Sequence, residues 1–140
     1  MEDTPPPLQQ RVELTSEQAA AAKRLLTSLS VSLESMPVVL AQDGSPAVFA
    51  GAIPPSIAAH IAQTADRHWR EGATRPAREF MQFQEEVFEE DDLRLSLLLY
   101  SVHIHGALTL SAGWQLSISL TQLRAEMLDA RESLRTLLIP

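Results

Sequence analysis

A chain of 140 residues fits one domain and can bury a core of its own. It has no cysteine, which excludes disulfides and thiolate metal cages and suits a reducing, cytoplasmic setting. Its net charge of −7, with no stretch that concentrates lysine or arginine, argues against nucleic acid and anionic lipid as partners, and no apolar run is long enough to span a bilayer.

Residues 1–14, with Pro5, Pro6 and Pro7 and no apolar periodicity, read as a disordered lead to a domain at 15–140. Thr15 and Gln18 then have the spacing of a capping box, in which each side chain satisfies a backbone amide of the other residue. Ala19, Ala22, Leu26, Leu29 and Leu33 follow at spacings of three and four and predict a helix that ends before Pro37. Val38-Val39-Leu40 and Ala47-Val48-Phe49-Ala50 flank Asp43-Gly44, a pair that tolerates the positive φ of a tight turn, and predict a hairpin closed by Gly51. Pro54 and Pro55 suit a helix entrance and Gly72 a helix end, so a second helix is expected over 56–71. Its apolar face carries Ile57, Ile61, Ala65 and Trp69, broadened by Ala58, Ala62 and His68.

A partly alternating third strand is expected within 78–88, followed by a turn at Glu89-Glu90-Asp91-Asp92. Residues 93–104 form a long β-rich run, and His105-Gly106 turns it into Ala107-Leu108-Thr109-Leu110. These three segments predict an antiparallel meander. Ser119 and Gln122 repeat the capping spacing. Leu120, Leu123, Met127, Ala130, Leu134 and Leu137 make a last helix whose narrow stripe matches that of the first, as side-by-side packing on one sheet face requires.

The order α-β-β-α-β-β-β-α, the hairpin VVLAQDGSPAVFAG and the run LLLYSVHIHGALTLSAGW before an amphipathic helix resemble the roadblock/light-chain-7 (Roadblock/LC7) family over residues 16–138. That family includes dynein light chains and regulators of a gliding-polarity GTPase. The resemblance implies an α/β (α+β) class, with a five-stranded antiparallel, profilin-like sheet carrying helices on both faces. It further implies a non-catalytic homodimer that scaffolds or regulates a small Ras-like GTPase, with no cofactor. The third strands of two copies would join into one sheet, and their second helices would pack across the same axis. Carried over by position, the dimer interface would hold Phe80, Gln82, Gln84, Ile61, Ala65 and Trp69, and the partner would meet His60, Arg67 and Arg70. The acidic turn 89–92 and the proline pair before the second helix depart from the family pattern. A structural subunit of a larger assembly, or a ligand-sensing profilin/longin/PAS-like domain, is the alternative.

The residues themselves support part of this. A third strand at a sheet rim, with Gln82 and Gln84 in place of lysine or proline, is poorly protected against pairing. Trp69 widens the second helix's apolar face enough to suggest burial on two sides. No GxxxxGK or GxGxxG is present, so the chain is not itself a P-loop GTPase. Arg67 and Arg70, on the second helix, are candidates for an arginine that reaches a partner's phosphate, against a default of ordinary surface arginines. His103 and His105 have the alternation of two ligands on one strand face but lack a third, so both are read as solvent-facing turn histidines with no metal. His60 and His68 read as half-buried helix residues, and the carboxylates of 85–92 as a solvated face.

Overall fold

The computed structural model describes residues 12–71, 80–88, 94–114 and 117–139; within 71–97 the description is of the backbone alone. The elements are α1 (Ser16–Ser32), β1 (Val38–Gln42), β2 (Ser45–Ala50), α2 (Pro55–Glu71), β3 (Phe80–Phe88), β4 (Arg94–His105), β5 (Leu108–Gly113) and α3 (Leu120–Leu138). The strands form one sheet in the order β2-β1-β5-β4-β3, and every neighbouring pair is antiparallel.

Local chemistry sets the element boundaries. The Thr15 side chain accepts from the Gln18 amide at 3.1 Å, and the Gln18 side chain takes the Thr15 amide at 2.9 Å, which closes both halves of the capping box. Ser119 Oγ accepts from the Gln122 amide and opens α3 in the same way. At the hairpin, Asp43 and Gly44 both take positive φ, 54° and 74°, the combination a two-residue turn between twisted strands demands. Gly51 is irreplaceable on two counts. Its φ is +104°, and a Cβ there would lie 2.9 Å from Pro37 Cα, a backbone atom that cannot step aside.

Helices cover both faces of the sheet. On one face α1 and α3 lie side by side and bury Leu26, Leu33, Leu40, Val102, Leu110, Leu123, Met127 and Leu134. On the other, α2 packs Ile57, Ala58, Ile61, Ala62, Ala65 and Trp69 onto Val39, Ala41 and Leu99. The pleat explains the division: Val38 and Leu40 of β1 face the first cluster, whereas Val39 and Ala41 face the second.

Of the residues expected in the lead, 1–11 lie outside the described residues, and Val12 and Leu14 pack against the α1/α3 core. Gln42 fixes that segment: its Nε2 donates to the Val12 carbonyl at 2.9 Å and its Oε1 accepts the Val12 amide. A glutamine that is 8 % exposed can remain buried only when both ends of its amide are engaged, and Val12 engages both. The acidic turn 89–92 also falls outside the described residues.

Candidate functional site

The sheet has two rims, and β3 forms one of them. All nine of its residues pair with β4, from Phe80 opposite Val102 to Phe88 opposite Arg94, without a register break. In an antiparallel ladder every second residue turns its N–H and C=O away from its neighbour. The outer side of β3 therefore presents a long, regular row of such groups, with no proline in the strand. Phe80, Gln82 and Gln84 lie on this strand; their side chains are outside the described residues.

Next to that rim, α2 packs on β3 as well as on β1, β2 and β5. Its outer stripe is polar. Ser56, Gln63, Arg67 and Arg70 are exposed, while Ala59, His60 and Asp66 are half-buried.

Three side chains expected at the dimer interface are elsewhere. Ile61, Ala65 and Trp69 are 1 %, 0 % and 6 % exposed, all against this chain's own sheet. Trp69 reads as too large for one-sided burial because the partner for its polar edge lies far along the chain. Its indole N–H donates to Ser101 Oγ of β4 at 2.8 Å, and Ser111 Oγ of β5 donates to the same oxygen at 2.9 Å. The ring also meets His103, with centroids 5.9 Å apart. These three positions hold α2 to the sheet and contribute no surface.

Arg70 is exposed, yet it is paired within its own chain. Its Nε donates to Asp66 Oδ2 at 2.8 Å, and its guanidinium lies 3.6 Å from Asp43 in the β1–β2 turn. The hydrogen bond and charge of Asp66 raise its pKa further. The guanidinium thus clamps the hairpin turn to the end of α2. Arg67 is exposed and His60 half-buried on the outer stripe, so both positions border the surface expected for a partner.

The histidine pair separates. His103 is partly buried beside Trp69 rather than solvent-facing, and a ring nitrogen lies 2.8 Å from the Gly106 carbonyl. A carbonyl can only accept, so that nitrogen, Nε2, carries the proton. Burial pulls the His103 pKa below the usual imidazole range, against the opposing pull of the Gly106 carbonyl, so the ring is neutral at pH 7. His105 instead borders a shallow hollow with Val12, Gln18 and Leu137, and the ladder shifts register between the two. Among the described residues no three histidine, cysteine or carboxylate side chains gather as a metal site would require. No helix among them is long and apolar enough to cross a membrane.

The fold is found in solved structures. The gliding protein MglB from Thermus thermophilus superposes with a TM-score of 0.69 at 15% identity, covering 93% of this chain and 97% of that one. MglB of Myxococcus xanthus gives 0.66 at 15% identity, covering 93% and 98%. A Roadblock/LC7 domain from Streptomyces avermitilis gives 0.59 at 20% identity, covering 81% and 94%. The chain has the Roadblock/LC7 fold. No protein-family model matches the sequence, and no curated protein matches it. At these identities the likeness to Roadblock/LC7 domains is one of fold. A further MglB structure with 15% identity and a TM-score of 0.67 is described as having a tetrameric arrangement.

Proposed function

We propose that two copies of this chain join β3 to β3 about a two-fold axis, and that the resulting platform binds and regulates a small Ras-like GTPase without itself catalysing a reaction. The unbroken outer rim of β3 carries this reading. A rim of this length left to solvent is a template for another strand, and the strand most available at any concentration of the protein is its own twin. The pairing extends one sheet through both copies and brings the two α2 helices near the axis on the same face.

In this arrangement the outer stripe of α2, with His60, Gln63 and Arg67, becomes a central surface of the dimer. Its residues are polar and one carries positive charge, which suits a partner whose contact face includes carboxylates or a bound nucleotide's phosphates. The MglB and Roadblock/LC7 likeness supports the same class of role through the fold.

The partner is tested by retention. A panel of small Ras-like GTPases, loaded with GDP or a non-hydrolysable GTP analogue, is passed over the immobilised chain. Retention of one nucleotide state in preference to the other is expected, and Arg67→Glu should weaken it about tenfold or more, as reversal of an interfacial charge does. Equal loss of both states, with the dimer intact, contradicts the GTPase role.

A further inference from the structure

The rim opposite β3 has a different chemistry. β2 is six residues long, against nine for β3. Pro46 offers no amide for a ladder. Its pairing with β1 breaks between Leu40 and Ala41: Val48 faces Leu40 and Pro46 faces Ala41, so Ala47 is an extra residue at a bulge. One more residue acts on this rim from outside the sheet. Lys23 of α1 donates from Nζ to the Phe49 carbonyl of β2, and the same ammonium stands 5.4 Å from the centre of the Phe49 ring.

The path of that side chain is informative. α1 belongs to the α1/α3 face, whereas Phe49 packs with the α2 cluster on the opposite face. Lys23 thus passes around the outside of β2 to reach it. It places a charge on the line an added strand would follow, and it takes a carbonyl such a strand would need. Lys23 is also the only lysine in the chain; the other ten basic residues are arginines.

We propose that Lys23, with Pro46 and the bulge, is a guard that closes the β2 rim to a second copy of this chain. Strand addition is then one-sided, and assembly through the sheet ends with the β3 pair instead of continuing into a fibre. The amine is the part of this guard that can be switched. An incoming strand would compete with the ammonium for the Phe49 carbonyl and bury its charge, which is costly, and neutralising the amine lowers that barrier while leaving the fold's core untouched.

A single lysine makes the test selective. Acetylation of amines removes the Lys23 charge, reductive methylation keeps it, and Lys23→Arg treated with the same acetylating reagent controls for the terminal amine. Mass is read by sedimentation across concentration. The acetylated chain and the variant Lys23→Met/Pro46→Thr are expected to exceed the mass of the untreated chain and to grow with concentration, while the methylated and Lys23→Arg samples stay at the untreated mass. Identical mass in all samples overturns the guard. The inference rests on the β3 reading only for where growth starts. If the untreated chain is a monomer, the β3 reading fails, yet a Lys23→Met/Pro46→Thr chain that then dimerises still supports the guard. Should the double variant be misfolded by circular dichroism, the acetylated native chain decides alone.

Discussion

Trp69→Ala is expected to lower stability by about 3–5 kcal/mol, the range for removing a buried tryptophan or phenylalanine from a core. Only 6 % of the residue is exposed, and it spans the gap between the end of α2 and the middle of the sheet. Truncation removes its packing and leaves a void beside His103. It also deprives Ser101 Oγ, a fully buried oxygen, of one of its two donors. Trp69→Phe separates the two contributions: the ring volume largely remains and the indole N–H is lost, so about 1–2 kcal/mol is expected. Urea unfolding of the three proteins measures both values. Since a domain of this kind has only about 5–15 kcal/mol in total, the alanine variant should lose a large fraction of its stability and melt at a clearly lower temperature. A loss below about 1 kcal/mol for Trp69→Ala would mean that α2 is not anchored here.

The second large effect is expected on association. Gln84 and Glu85 are neighbours in β3, opposite Leu98 and Leu97 of β4. One of the two directs its amide to β4 and the other directs it outward, because the ladder alternates. Proline at the outward position removes a donor from the rim but none from the chain's own sheet. In a two-fold pair each substitution acts twice, so two lost bonds with unsatisfied partners weaken the dimer by about 2–6 kcal/mol, roughly 30-fold or more in its association constant. Proline at the inward position instead destabilises the monomer. Gln84→Pro and Glu85→Pro are therefore expected to diverge, one folded and monomeric, the other reduced in melting temperature. Two variants that both dimerise with unchanged affinity would contradict pairing through β3.

Local rules made the element starts readable. Thr15 with Gln18 announces α1, and Asp43-Gly44 announces the hairpin, because each is decided by residues within a turn of each other. The apolar stripe of α2 was equally plain. Its meaning was not, since a stripe records that a face is covered and not by what. Trp69 shows the difference: the breadth of the face suggests a partner chain, but Ser101 and His103, more than thirty residues on, meet the ring within the same chain. The polar letters of β4 and β5, Ser101 and Ser111, were the available signal, for buried serines in a strand imply a donor aimed at them.

Long-range pairs account for the other differences. Val12 looks like lead until Gln42, thirty residues later, takes both of its backbone groups. Arg70 looks like a surface cation until the hairpin turn brings Asp43 to it. The histidines follow the same logic: alternation puts them on one face only in a regular strand, and the ladder shifts between them. Lys23 carries no sequence signal beyond its rarity, because the carbonyl it serves belongs to a strand that reaches it only through the tertiary fold.

Amide hydrogen exchange along β3 tests the central claim most directly. With the chain concentrated, alternate amides across 80–88, those not bonded to β4, are expected to exchange slowly, and dilution should release them while the amides facing β4 keep their protection. Fast exchange of that alternate set at every concentration, in a chain whose β4-facing amides stay protected, would contradict the account.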